Sequence, residues 1–535
     1  MMKKWYIGLI IAVLSMILVA CSSDQKEDSG STEPKQEENN KTAQKEQPQK
    51  DVIIRLAGGD SGVPNPFQHH MRGPGMSKMQ ILYDSLLEKD EEGLIPWLAE
   101  SWEESDDHLT YTFKLVDNAT WHDGTPLTAE DVAFTFDYYQ KFPPVQNTLL
   151  ASGEYIVKSA VAKDAQTVEI TFNKPNVSNL SNLGFVRILP KHIWEGVEDP
   201  AKLEGEGAVV GSGPYVFDSY NAEQGTYRYV ANESYWGLKP AATAIEWVPV
   251  SDNVLAFENG EIDLITVGAD LVERYEKEED YGVKKVHSLH SYRMMFNMQQ
   301  VEALQHKNIR QAMAYAIDRQ GIIDKVERGS ATISSMGYIP TDNEWYNSSI
   351  EQYDYNVDKA TELMSGETLE LELLIGNSES EVKIAELIKN DFEKVGITLN
   401  VKAVESKVRD SAMKKGEYEL VLLNLGGIAG DPNFVQSVYL THKDGPAQAQ
   451  QTLKGYYNET LNELLMKQAT EWDEAIRQEQ LNEVQSIIAD EVPVLMLHGI
   501  VDNFVYTQSK YDYWTVRYDH NKLDHNKLSY VIRQQ

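Results

Sequence analysis

At 535 residues the chain exceeds what one hydrophobic core organises, and 41% hydrophobic content is enough for the two or three lobes that this length implies. Against 49 basic residues stand 83 acidic ones, and the formal charge of −34 excludes nucleic acid as a partner, because backbone phosphates demand the opposite sign. A single cysteine excludes an internal disulfide and a thiolate metal cluster, so an exported fold must stand on packing alone.

Lys3 and Lys4 precede an almost unbroken apolar run from Trp5 to Val19, and small Ala20 stands before Cys21, the order of a secretory signal peptide. The run also reads as a marginal membrane span, which needs about 20 apolar residues, but the position of Cys21 decides against it. Leu18-Val19-Ala20-Cys21, followed at once by Ser22-Ser23-Asp24, resembles the lipobox of bacterial lipoproteins. The resemblance implies cleavage after Ala20, a diacylated Cys21 and acylation of its new amino group; two or three acyl chains hold a protein firmly at a membrane. Loss of Lys3 and Lys4 takes the charge from −34 to −36, so contact with anionic lipid rests on the anchor alone. Ser22 to Lys50 is rich in Lys, Glu, Gln, Asn and Ser and has no aromatic residue, which predicts a disordered tether with a span of about 30 Å.

Val52-Ile53-Ile54-Arg55-Leu56 begins the folded part as a short β-rich run. Gly59-Asp60-Ser61-Gly62 looks like a protease nucleophile loop, yet nothing folded precedes it, and a strand-terminating turn is the better reading. Met79, Leu82, Tyr83 and Leu86 predict a helix over Met76 to Lys89, and Tyr111 to Leu115 alternates as a strand. Asp123-Gly124 predicts a turn with His122 as a structural neighbour. Thr128 with Asp131 predicts a capping box, and Val132, Phe136 and Tyr139 share one face of the helix that follows.

Leu94 to Trp102 and Trp121 to Phe136 resemble the extracellular solute-binding proteins of family 5, the peptide and nickel receptors of ABC importers. Gly211-Ser212-Gly213-Pro214-Tyr215 is similar to that family's glycine-rich approach to its returning strand. Asn308 to Arg319 is similar to the helix after the first half of its fold, and the four segments stand in the expected order. Read from the residues alone, Gly211 and Gly213 permit a tight crossover, and Ile309, Met313, Ala316 and Ile317 form an apolar helical stripe. Trp247 to Asp263 reads as strand, turn and amphipathic helix, with Ile245, Trp247 and Val250 and then Val254, Leu255 and Phe257 as its apolar positions. Glu370 to Ile375, the helix Val382 to Val395 and Ile397 to Val401 form a βαβ unit, with Tyr418 to Leu425 as a doubly covered strand. Leu461 to Ala489 predicts a helical hairpin, and Val492 to Leu497 an apolar strand. The doubled Asp519-His520-Asn521-Lys522-Leu523 and Asp524-His525-Asn526-Lys527-Leu528 reads as a surface duplication.

Ligands in open α/β sheets bind beyond the carboxyl ends of strands, which directs attention to Gly426 to Pro432, where glycines such as Gly427 and Gly430 admit a close backbone approach. The resemblance implies that an acid in this loop meets a peptide's amino group. Asp431 is the nearest acid, although alignment on Asp431-Pro432 puts the relatives' acid at Ile428, and Gly-Asp-Pro also suits a plain turn. His69, His70 and Arg72 lie after the first strand: imidazole ligates nickel or copper, and Arg72 suits a carboxylate. Adjacent histidines on extended chain point apart, so they do not easily share an ion. His287 and His290 are expected to precede and enter a strand at Tyr292 to Phe296, with surface or hydrogen-bonded roles. HExxH, P-loop, dinucleotide and GxSxG motifs are absent.

The expectation is an α/β, bilobed periplasmic-binding-protein-like fold of type II, three-domain and cluster C-like, with a discontinuous first domain. Residues 1–20 form the signal peptide and 21–50 the lipidated tether. Residues 51–94, 210–300 and 495–535 form domain I, 95–209 an inserted lobe and 301–494 the second large lobe. The expected function is capture of an oligopeptide-like solute between the lobes and delivery to a membrane permease with its ATPase. The chain is then a monomer without cofactor, resident metal or catalysis, anchored outside the cytoplasmic membrane of a Gram-positive cell. Alternatives are a receptor for nickel or a metal chelate and, from another class, a secreted hydrolase.

Overall fold

The structure is a computed structural model describing residues 52–70, 74–90, 93–151, 154–426, 431–441, 453–515 and 527–533. Strand β1 (Ile53–Ala57) buries Ile54 and Leu56. The helix that follows covers Pro74–Leu82 and does not continue to Lys89. It stops because another segment takes its carbonyl: Gly213 N donates to Leu82 O at 2.8 Å. A Cβ on Gly211 would stand 1.9 Å from Leu82 O, and one on Gly213 2.3 Å from Ile81 O, so only glycine lets the crossover lie this close. Beyond the stop, β2 (Leu87–Asp90) and β3 (Gly93–Pro96) form a hairpin.

The inserted segment builds an antiparallel sheet from β4 (Ala99–Glu104), β5 (Thr110–Leu115), β8 (Val157–Ala162) and β9 (Thr167–Phe172), in the order β4-β5-β9-β8; the short β6 (Leu150–Ala151) and β7 (Glu154–Tyr155) pair beside it. Helix Ala129–Lys141 packs on β8 and β9, burying Val132, Phe136 and Tyr139. Its start is the expected capping box, with Thr128 N donating to Asp131 Oδ2 at 2.8 Å. His122 joins this lobe to the crossover: its Nε2 is 3.1 Å from Gly213 O, and its Nδ1 accepts from Gly211 N at 3.2 Å.

Returning through β10 (Tyr215–Asn221), β11 (Thr226–Ala231) and β12 (Ala244–Val248), the chain lays β12 parallel to β1, giving the order β1-β12-β11-β10. The third large sheet contains β13 (Leu264–Val267), β14 (Tyr281–Phe296), β15 (Ala331–Ile333), β16 (Leu369–Gly376), β17 (Ile397–Val404), β18 (Leu420–Leu425) and β19 (Val494–Thr507). Its order is β13-β19-β14-β18-β16-β17, with β15 also on β19. Strand β18 sits between β14 and β16 and buries Leu420 to Leu423, the doubly covered strand expected.

Two large cores result. One gathers residues from Ile54 to Trp247 together with Phe504, Trp514 and Tyr530; the other gathers residues from Tyr292 to Leu497. The antiparallel pair β14 and β19 runs from one core to the other, and its register shifts between His287 and Ser291 and again between Tyr292 and Arg293. Such irregularities bend and twist a ribbon locally, which suits a connection between lobes. Pairing with β19 also extends β14 back to Tyr281, so His287 and His290 lie within it instead of before it.

Candidate functional site

A cleft of about 490 Å³ opens among the end of β13, a stretch of β19, and the segments at Val326 and Glu379. Thr266 to Asp270, at the carboxyl end of β13, form one wall; Val326 to Arg328 with Ser330 and the helix start at Glu379, Ser380 and Lys383 form the other; Ile500 to Asn503 of β19 form the floor. Open α/β sheets place ligands at such strand ends, and the volume lies within the range of small-molecule sites.

The polar groups are held in place locally. Asn503 is buried in the floor, and its Nδ2 donates to Val267 O at 3.3 Å and Ser330 Oγ at 3.1 Å, tying both walls to β19. Ser378 caps the helix Glu379–Glu393 by accepting from Glu381 N at 3.2 Å. Beneath it, Glu381 accepts from Gly376 N and pairs with buried Arg409 at 2.8 Å, fixing the β16-to-helix turn. Across the cleft Arg328 Nη1 stands 2.6 Å from Asp270 Oδ2, and within one wall Lys383 Nζ stands 2.5 Å from Glu379 Oε1. The hydrogen bond from Lys383 holds the Glu379 carboxyl below its ordinary range. Glu327 is oriented by buried His498, whose Nε2 lies 3.0 Å from Glu327 Oε1.

Arg328, Lys383, Asp270 and Glu379 are paired yet largely exposed. Exposed ion pairs contribute only about 0–1 kcal/mol, so a ligand that offers an opposite charge exchanges partners with little loss. The cleft therefore presents both signs of charge within one ligand's length.

A second set of contacts joins the β4–β5 turn and the segment after β9 to residues between Asn433 and Trp472. Val177 N donates to Ala469 O at 3.0 Å, and Asn433 Nδ2 donates to Ser178 Oγ at 2.8 Å. His108 and Trp472 stack with ring centres 3.8 Å apart.

Of the residues singled out from sequence, Asp431, His69 and His70 do not line the large cleft. Asp431 is engaged from its own lobe: Arg477 reaches both carboxylate oxygens at 2.9 Å, and Asn433 N donates to Oδ1 at 2.7 Å. That placement lets Asp431 position Asn433 beside Ser178. His69 and His70 point apart as expected. His69 is buried with Nδ1 2.7 Å from Asn65 O, whereas His70 is exposed, 4.0 Å from Asp60 Oδ2. His69 lines a smaller cavity of about 80 Å³ together with Met76, Met79, Asn147, Phe185 and Arg187. Cys21, Arg72, Gly427, Gly430 and most of the Asp-His-Asn-Lys-Leu duplication lie outside the described residues. The charged pairs of the cleft were missed from sequence, although the strand-end rule applied to β18 marks Asp270 after β13 and Glu379 after β16 equally well.

Comparison with known proteins places this architecture. Residues 93–446 match the family described as "Bacterial extracellular solute-binding proteins, family 5 Middle". The dipeptide-binding protein of Escherichia coli is 26% identical over 439 residues, covering 76% of this chain and 80% of that protein. Heme-binding protein A of Haemophilus influenzae is 28% identical over 496 residues, covering 85% and 88%. The crystal structure of the ABC transporter substrate binding protein CtaP from Listeria monocytogenes superposes with a TM-score of 0.75 at 27% identity, covering 89% of this chain and 98% of that one. The chain belongs to the bacterial extracellular solute-binding proteins of family 5 and has their bilobed periplasmic-binding-protein fold.

Proposed function

We propose that this member of the family captures a zwitterionic, oligopeptide-like solute in the 490 Å³ cleft and hands it to an ABC permease. The observation that carries this reading is the pairing of Arg328 and Lys383 with Asp270 and Glu379 around one cavity. A ligand carboxylate replaces an acid at Arg328 or Lys383, and a ligand amine replaces a cation at Asp270 or Glu379. Because the walls come from both lobes, bound solute favours the arrangement in which they meet, and the permease reads that arrangement. The protein itself makes and breaks no covalent bond in this cycle and acts as a monomer.

The same reading groups residues 51–94, 210–300 and 495–535 as domain I around an inserted 95–209 lobe, with 301–494 as the second large lobe. Pairing of β1 with β12 and the mixed core of the first lobe support this division. Acyl chains on Cys21 hold the body outside the membrane. Cys21→Ala should release it to the medium or leave an uncleaved precursor; a normally processed variant still bound to membranes would rule the anchor out. A thermal-shift panel of free-ended di- to tetrapeptides against the same peptides acetylated and amidated tests the solute class. Stabilisation by free-ended peptides alone is expected, and equal response to blocked ones would remove the zwitterion reading.

A further inference from the structure

We propose a second binding site, for a soft monovalent cation of the Cu(I) class, in the 80 Å³ cavity that His69 shares with Met76 and Met79. It lies between the loop after β1, the helix Pro74–Leu82 and the inserted lobe, apart from the charged cleft, and does not depend on the solute reading.

Three observations carry it. The imidazole of His69 is only 3% exposed, and its Nδ1 is 2.7 Å from the backbone carbonyl of Asn65, which requires Nδ1 to carry the proton. The remaining nitrogen, Nε2, is enclosed and has no hydrogen-bond partner among the described residues. A ring whose one N–H is fixed by a carbonyl while its other nitrogen is presented as a lone pair is the arrangement of a metal-bound histidine. An orphaned buried acceptor is also costly, so it calls for an occupant.

The chemistry of the cavity selects that occupant. Met76 and Met79 stand one turn apart on the same helix, and both line the cavity with His69. Thioether and imidazole together prefer Cu(I), whereas nickel and zinc favour harder or thiolate donors. Among the described residues no three His, Cys, Asp or Glu side chains gather at a metal-sized site, so a hard divalent ion has no such competing cluster there. Gly75, beside Met76, packs the helix start closely on the His70 backbone: a Cβ there would stand 2.5 Å from His70 O.

The test uses the full untagged chain carrying Cys21→Ala, so that no thiol competes. Ag(I), an air-stable stand-in, is titrated calorimetrically, and Cu(I) is titrated anaerobically against a chromophoric chelator. One ion per chain is expected, undisturbed by Ni(II). The double substitution Met76→Leu with Met79→Leu keeps the apolar volume and should weaken binding by at least about tenfold, the scale on which loss of a single supporting partner acts. His69→Gln should do the same, and melting curves establish which variants are folded; should His69→Gln fail to fold, the methionine pair decides. A cavity that holds only water, which would satisfy Nε2 and the neighbouring Asn147 Nδ2, binds neither ion. That result, or binding indifferent to the substitutions, overturns the proposal.

Discussion

Lys527 and Asp84 meet across 443 positions of sequence, Nζ 2.6 Å from Oδ1, with neither side chain exposed. Asp84 also accepts from Trp97 Nε1 at 2.9 Å, Ser212 Oγ at 3.1 Å, Tyr235 OH at 3.1 Å and Trp236 Nε1 at 3.2 Å. Glu88 lies 3.1 Å from Lys527 and 2.6 Å from Arg187, so two acids and two bases balance inside the first lobe. Segments from the start, the return and the end of the chain are tied at one point.

Removing one partner of a buried pair strands the other, at a cost of about 3–5 kcal/mol. Lys527→Met should lower the denaturation midpoint accordingly, and Asp84→Asn in the same chain should recover part of the loss. Chemical denaturation of the two singles and the double measures this as a coupling energy. Strict additivity would show that the contact carries no coupling.

The stack of His108 on Trp472 ties the β4–β5 turn to the loop before the helix Glu474–Glu491. Aromatic pairs contribute about 0.5–1.5 kcal/mol beyond their buried area. Trp472→Ala should therefore move the open-to-closed ratio by roughly two- to twelvefold towards open. Small-angle scattering should record a larger radius of gyration, and solute affinity should fall in proportion to the closed fraction lost, by at most that factor. An unchanged scattering curve would mean that this contact does not restrain the lobes.

His122 makes stability pH-dependent. Burial pushes its pKa below the ordinary 6.5, against the raising effect of the hydrogen bond to Gly213. Because Nδ1 accepts from Gly211 N, a proton there breaks a native bond. With the folded pKa depressed, the unfolded chain takes up the proton first. The stabilisation is fully present above the unfolded value of about 6.5 and is lost as pH falls through the folded value. His69, also lowered by burial, has the same sign. His122→Gln should reduce stability at pH 7 and flatten, without abolishing, its decline from about pH 7 to 5. A slope as steep as that of the parent chain would contradict the assignment.

Asp431 separates two roles by measurement. Its bidentate pair with nearly buried Arg477 predicts that Asp431→Asn destabilises the second lobe by about 1–3 kcal/mol. Loss of solute affinity with an unchanged melting temperature would instead make the carboxylate a ligand group.

Much of the fold was legible because it is written in local patterns. The Thr128–Asp131 capping box, the helical stripe of Ile309, Met313 and Ala316, and the apolar run of β18 each appear as the residues alone indicate, whereas Ile317 stands just past the helix end on extended backbone. The helix after β1 was overextended because its stop depends on Gly213, about 130 residues later. The long reach of β14 was hidden because it depends on β19. The cleft was the least legible part: Asp270 and Glu379 are two of 83 acids, and only the folded chain sets them beside Arg328 and Lys383.

Native mass spectrometry of the protein purified from cells that import peptides tests the central claim most directly. The parent chain should carry one small solute per molecule, and the double variant Arg328→Glu with Lys383→Glu should emerge folded and bare. Solute retained by that variant at parental occupancy would place capture elsewhere and contradict the account.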